Sequence, residues 1–392
     1  MTIMDRYLRH LTTISILFAL TILIMVCGCT GTSAQTDADI NSNDQTEMVT
    51  ITDSNGREVT IPSNPQRVVC SGSGCLRLLS YLGGNELAVG VDNIDKKDNS
   101  YDKETYNARA YYLAYPEYAD LPLIGNHHSD DDPESIIACE PEIIFRTDGY
   151  RAAINDDELQ EKTGIPVVGL NYGDPTDNRQ AMYDSLRLMG QIIGREDRAD
   201  EVAEFFESQI GDLGERTTDA DPAITPKVYI AGISNKGPQG LLSTSLTYAP
   251  FTYINADRFN VADSDENTMT QAFIAKEKLI DLNPDTIFIE LGTVQLNPSA
   301  IDELKDDSCY RSLDAVKTGD VYGMLPYNWY SYNYGTAIIS AYYAGKMIYP
   351  DQFEDIEIKE KADEIYEFLF EMPEYDILNE RFDGIGYTKI SL

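Results

Sequence analysis

The residues of this chain that could do chemistry fall into a few short runs. The first is the turn Cys70-Ser71-Gly72-Ser73-Gly74-Cys75. Two glycines after Val68-Val69 invite comparison with a phosphate-cradling loop, which needs G-x-G-x-x-G between a strand and a helix. Arg77 stands where the third glycine would be, and no Lys-Ser or Lys-Thr follows, so neither dinucleotide nor Walker-type binding is supported. A metal clip needs a second ligand pair, and a lone C-x4-C does not supply one. What remains is a buried strand, a glycine turn, and a helix through Leu76, Leu78, Leu79 and Leu82. In α/β folds such turns at strand ends are where ligands bind.

The second run is His127-His128, followed by Ser-Asp-Asp-Asp-Pro-Glu. Imidazole is the commonest metal ligand, and oxygen donors lie close by. Adjacent residues of a strand point to opposite faces, so both rings reach one ion only from a loop. The competing reading is a solvated loop, and His10 is the only other histidine. The tyrosines form two clusters, Tyr106, Tyr111, Tyr112, Tyr115 and Tyr118, then Tyr327, Trp329, Tyr330, Tyr332 and Tyr334 around the sole tryptophan. Aromatic faces stack on planar ligands, and a phenolate is a hard donor for ferric iron. Arg109 and Arg151 could pair with ligand carboxylates.

These runs need elements to hold them. "SIIACEPEIIF" (135–145) and "KLIDLNPDTIF" (278–288) align without gaps, each reading as a helix end, a proline, an acidic residue and a β-rich run. The proline cannot continue the helix and opens the way to the strand. Each copy precedes another strand-like run, "GIPVVGLN" (164–171) and "TGDVYGMLP" (318–326). Helices alternating with strands predict parallel sheets in two α/β lobes. Between them, Met182, Leu186, Met189 and Ile193 predict one helix, and Ala199, Val202, Phe206, Ile210 and Leu213 a second, with Asp197 as its cap. A helix of about 20 residues spans about 30 Å and can bridge two lobes. "EIKEKADEIYEFLFEM" near the end reads as a terminal amphipathic helix.

Length and charge bound the rest. The 392 residues allow two lobes, and 66 acidic against 30 basic side chains give a net charge of −36. So acidic a surface disfavours nucleic acid and anionic membrane surfaces. Residues 1–28 read as a leader: Arg6 and Arg9, then the apolar run Leu11–Val26, shorter than the roughly 20 residues a spanning helix needs. "VCGCTG" follows, with Gly28 before Cys29. This resembles a lipoprotein signal peptide cleaved before Cys29, whose thiol takes the lipid. An uncleaved anchor is the alternative. Either way the remainder lies outside the cytoplasmic membrane, with 29–47 as a flexible polar tether. Of the remaining Cys70, Cys75, Cys139 and Cys309, the close pair Cys70 and Cys75 could form a disulfide there, or the thiols could be free and buried.

"VTITDSNGREVTIPSNPQRVV" (49–69), "NARAYYLAYPEYADLPLIG" and the paired helix-proline-strand units resemble the ABC-transporter substrate-binding proteins that capture ferric siderophores, haem and vitamin B12. "LLSTSLTYAPFTYINADRFN" and "NWYSYNYGTAIISAYYAGKMIYP" resemble an archaeal or bacterial branch labelled as iron-complex binding. The resemblance covers roughly residues 48 to 390. It implies an N-terminal lobe over 48–176, a bridging helical segment over 177–217, a C-terminal lobe over 218–350, a helical segment over 351–392, and a ligand cleft between the lobes. It implies no intrinsic cofactor and no enzymatic activity. The expected cargo is an iron chelate, haem or corrinoid, and the expected partners are a permease and its ATPase. With strand ends as the binding loops, the candidate ligand contacts are Ser71, Gly72, Ser73, Gly74, Asn126, His127, Thr147, Asp148 and Tyr172 in the first lobe. In the second they are Lys236, Glu290, Trp329, Tyr330 and Tyr332. His127 and His128 are the candidate metal ligands of a rival reading, a receptor for bare Zn²⁺ or Mn²⁺. Other rivals are an enzyme on the same two-lobed plan and an adhesin.

Overall fold

The computed structural model describes residues 47–96, 106–128, 130–147, 155–221, 223–234, 236–257, 260 and 271–392. The leader, the tether up to residue 46 with Cys29, and Asp148 and Arg151 lie outside the described residues.

An antiparallel hairpin opens the described chain, β1 (Met48–Thr52) on β2 (Glu58–Pro62). The first sheet follows, with strand order β6-β5-β4-β3-β7-β8. Its members are β3 (Val68–Ser71), β4 (Ala88–Asp92), β5 (Leu123–Asn126), β6 (Asp130–Asp131), β7 (Ile143–Thr147) and β8 (Val167–Leu170). All neighbours are parallel except β5 and β6. β3, β7 and β8 are buried along their whole length, as continuous β-branched runs require in a sheet covered on both faces. The second lobe holds β9 (Val228–Ala231), β12 (Thr286–Glu290) and β13 (Val321–Met324), parallel in the order β13-β12-β9. A small antiparallel pair, β10 (Ser243–Thr244) and β11 (Ala272–Phe273), forms a separate sheet beside β9.

The two helix-proline-strand units fold alike. After α1 (Cys75–Tyr81), helix α2 (Pro133–Ala138) leads to β7; after α3 (Asp156–Thr163) and the bridge, α6 (Lys276–Leu282) leads to β12. In each, the residue before the proline is left-handed: Glu140 at φ 49° and Asn283 at φ 42°. Such a residue ends the helix, and the proline behind it prevents resumption.

Between the sheets run α4 (Arg179–Ile193) and the long α5 (Glu196–Arg216). Ala199, Val202, Ala203, Phe206 and Leu213 form the buried stripe of α5. The Phe206 ring lies 5.6 Å from Tyr81 of the first lobe and 5.9 Å from Tyr334 of the second, so this one side chain ties the bridge to both. Asp197 does not cap α5: the helix begins at Glu196 after Arg195, with no side-chain cap, and Asp197 sits in the first turn. Its charge still suits that end of the helix dipole. Helix α7 (Tyr334–Ile348) is buried nearly all round, and α8 (Ile358–Phe370) covers it with Ala362, Ile365, Tyr366, Leu369 and Phe370. Cys70, Cys75 and Cys139 are buried free thiols, and Cys309 is an exposed one. No helix among the described residues is long and apolar enough to cross a membrane.

Candidate functional site

The carboxyl ends of the first sheet gather Ser71–Gly74, Asn126–His128, Thr147 and Tyr172, and these residues mostly bond to one another. Ser73 donates its amide at 3.0 Å and its hydroxyl at 2.9 Å to the His127 carbonyl. The Thr147 hydroxyl donates to the Ser73 carbonyl at 3.2 Å, and the Gly72 amide to Asp92 Oδ2 at 2.8 Å. Ser71 donates its hydroxyl to Asp131, which also holds Arg146 at 3.0 Å. The Asn126 side chain accepts the His128 amide. The turn 71–74 is therefore a braced wall.

His127 Nδ1 lies 2.9 Å from Asn93 Oδ1, an acceptor, so the neutral ring carries its proton there. Burial, then the neighbouring His128 and Arg109, push its pKa down to about 4. The two imidazole centroids are 3.9 Å apart. Among the described residues no third His, Cys, Asp or Glu completes a metal cluster with them.

Gly74 is where this wall depends on a missing side chain. Its φ is +88°, and a Cβ there would lie 2.4 Å from Cε2 of Tyr172. Gly74→Ala is expected to cost about 2 kcal/mol or more, from backbone strain and displacement of that ring. Thermal unfolding against wild type measures this, and a change within about 0.5 kcal/mol would rule the contact out as a constraint.

Tyr172 matters because it meets the second lobe. After β13 the chain makes a tight hairpin, Tyr327–Asn333, closed by the bridge Asn328–Tyr332. Tyr330 (φ 50°) and Ser331 (φ 71°) are both left-handed at its tip, a costly conformation for residues with a Cβ. Its carbonyls converge on Arg77. Nη1 donates to Tyr332 O at 3.1 Å and Tyr172 Oη at 2.8 Å, while Nη2 donates to Trp329 O at 3.1 Å and Tyr330 O at 3.3 Å. Tyr172 donates its own hydroxyl to Tyr332 O at 2.8 Å. Arg77 is 1% exposed, and its guanidinium lies over the Tyr111 ring at 5.1 Å. The Tyr330 ring stands edge-on to His127 at 5.0 Å, with Arg109 at 5.5 Å on its face. Arg109 is itself paired with Asp95 at 2.9 Å.

Beside this contact lies a cavity of about 150 Å³. Asp174, Pro175 and Thr176, just beyond β8, form its first-lobe side. The rest comes from the second lobe: Ile233, Ser234 and Lys236 after β9, Ser245, Thr247, Tyr248 and Gln271, then Glu290, Tyr327, Asn328 and Tyr332. Glu290 is fully buried, and its Oε1 accepts the Ser234 amide at 3.0 Å. Burial raises its pKa to about 7. Turn hydrogen bonds to Asp174, chiefly from Thr176, outweigh its partial burial and hold its carboxyl below the usual range.

Of the residues expected from the sequence, Lys236, Glu290 and Tyr332 come together in this cavity. Tyr172, Trp329 and Tyr330 instead lie in the interlobe contact around Arg77, where the Trp329 ring meets Phe382 edge-on at 6.1 Å. Ser71–Gly74, Asn126, His127 and Thr147 line the first-lobe wall outside the cavity. Asp174, Tyr248, Gln271 and Arg77 were missed. Arg77 left a signal, a lone charge inside the apolar run Cys-Leu-Arg-Leu-Leu. Tyr248 and Gln271 left none.

Comparison with known proteins decides the family. The model for the family described as periplasmic binding protein matches residues 68–327. The chain belongs to that family. This periplasmic binding protein is 23% identical over 304 residues to the ABC transporter substrate-binding lipoprotein YvrC of Bacillus subtilis, covering 77% of this chain and 86% of YvrC. It is 22% identical over 317 residues to the petrobactin-binding protein YclQ of the same organism, covering 79% of this chain and 89% of YclQ. Among solved structures, the molybdate periplasmic binding protein MolA of Haemophilus influenzae superposes with a TM-score of 0.63 at 18% identity, over 83% of this chain and 98% of MolA. That likeness speaks to the fold, two α/β lobes facing each other across strand ends.

Proposed function

We propose that this periplasmic binding protein captures an iron complex outside the cytoplasmic membrane and hands it to the permease and ATPase of an ABC importer. The observation that carries the reading is the convergence of both parallel sheets' carboxyl-end loops on one interlobe contact, with a polar and aromatic cavity beside it. The ligand class comes from the relatives: YclQ binds petrobactin by name, and a third relative of Bacillus subtilis, YxeB, is an iron(3+)-hydroxamate-binding protein. Haem and corrinoids belong to the same proposal as larger planar cargo for the aromatic hairpin. The division at 48–176, 177–217, 218–350 and 351–392, the lipid on Cys29 and the tether over 29–47 belong to it too.

Ligand pockets for drug-sized molecules run from about 300 to 1,000 Å³. A cavity of about 150 Å³ takes one arm of a chelate. Admission of the whole then requires the hairpin 327–333 to part from the first lobe. Trp329, the single tryptophan, sits on that hairpin and reports the movement. Titration with ferric hydroxamates, ferric catecholates, haem and cobalamin is expected to quench its emission saturably for at least one of them. Tight stoichiometric binding of Zn²⁺ or Mn²⁺, with no response to any chelate, haem or corrinoid, would overturn the proposal in favour of a bare-ion receptor.

A further inference from the structure

The cavity's own chemistry narrows the ligand. Glu290 is 1% exposed, and among the described residues no ion pair to it forms. Asp174 brings a second, ionised carboxylate from the opposite lobe. Lys236 lines the same space and is exposed. Three phenol rings complete the walls. Tyr327 lies 5.5 Å from Tyr248 at 54° and 6.2 Å from Tyr332 at 29°. The Tyr248 ring is fully buried, and its hydroxyl has no hydrogen-bond partner among the described residues.

An aromatic ring carries its negative charge on its faces, and rings grouped around a space attract a desolvated cation. A buried carboxylate without a cationic partner does the same, more strongly, and penalises an anion. The unused phenol offers the hydrogen-bonding capacity of a further polar contact. We infer that this cavity is a subsite for a positively charged amine, and that the ligand is a chelate carrying an ammonium arm that enters between Glu290, Asp174 and the three tyrosines. Lys236, the exposed cation of the lining, then faces the oxygen donors of the metal-binding part of the same molecule. The space fits such an arm and excludes a whole chelate. This inference rests on the reading of the protein as a chelate receptor.

Ferrioxamine B, a linear ferric trihydroxamate ending in a free ammonium, and its N-acetylated form differ chiefly in that charge. Their affinities, read by calorimetry in about 1 M NaCl, separate the subsite from the acidic surface, because the Debye length there is about 3 Å. The acetylated chelate should bind about tenfold more weakly or worse, and Glu290→Gln should shrink the gap. Equal affinities in wild type would overturn the subsite while leaving the receptor reading intact. If neither chelate binds, the hydroxamate form of the receptor reading fails, and tetramethylammonium alone judges the subsite. A rise in melting temperature with that cation in about 1 M NaCl, lost in Glu290→Gln, supports it. No rise, or the same rise in the variant, overturns it.

Discussion

Arg77→Ala should lower the unfolding free energy by about 3 to 5 kcal/mol and shift Trp329 emission to the red. The guanidinium donates to three hairpin carbonyls and to the Tyr172 hydroxyl at 2.8–3.3 Å, with 1% of the residue exposed. Hydrogen bonds to a charged group contribute about 1.5–3 kcal/mol each, and they do not add fully. Truncation leaves several buried acceptors to find water or new donors. It also frees a hairpin tip that holds Tyr330 and Ser331 at positive φ, which the surroundings must enforce. The hairpin should therefore relax, and its tryptophan become wetter. Arg77→Lys keeps the charge but presents a point donor in place of a planar fork, so it should fall between the two. Urea unfolding followed through Trp329 gives both readouts. A loss under about 1 kcal/mol with unchanged emission would mean the arginine fills space without joining the lobes.

Glu290→Gln should make stability less dependent on pH, and in a stated direction. The Glu290 carboxyl titrates at about 7 in the fold against an ordinary value of 4.5, because burial disfavours its charge. The folded state thus keeps a proton that the unfolded chain has already released. Stability then falls as pH rises from about 4.5 to about 7, by a total of about 3 kcal/mol. Glutamine has no proton to lose. Relative to wild type, the variant should gain about 3 kcal/mol between pH 4 and pH 8, most of it in that window. Asp174, the other acid in the cavity, is held below its usual range and does not titrate there. Chemical denaturation of both proteins at matched pH values tests this. A difference that stays flat with pH would show that Glu290 is already ionised in the fold by a partner such as Lys236.

The same two residues mark the limit of what was legible in the sequence. Glu290 could be placed from its own segment. It ends the β-rich run after Pro284, and a strand end in a parallel sheet faces the ligand side. The duplicated helix-proline-strand unit and the bridging helix were legible for a similar reason. Each is set by local rules: proline geometry or a stripe at helical spacing. Arg77 was different. Its type was visible, but its role depends on carbonyls more than 250 residues away in sequence.

The composition, the spacing of apolar residues and the prolines thus determined two α/β lobes, a long helix between them and the side of each sheet from which the candidate loops rise. These follow from interactions between residues close in the chain. Only the tertiary structure decided which loop residues meet. It turned Ser71–Gly74 inward as a braced wall and set Arg77 under the hairpin. It also grouped Glu290 with Asp174, Tyr248, Tyr327 and Tyr332 around one space. Backbone carbonyls carry no residue-type signal, and the pairing of loops from two sheets is fixed by how the lobes pack.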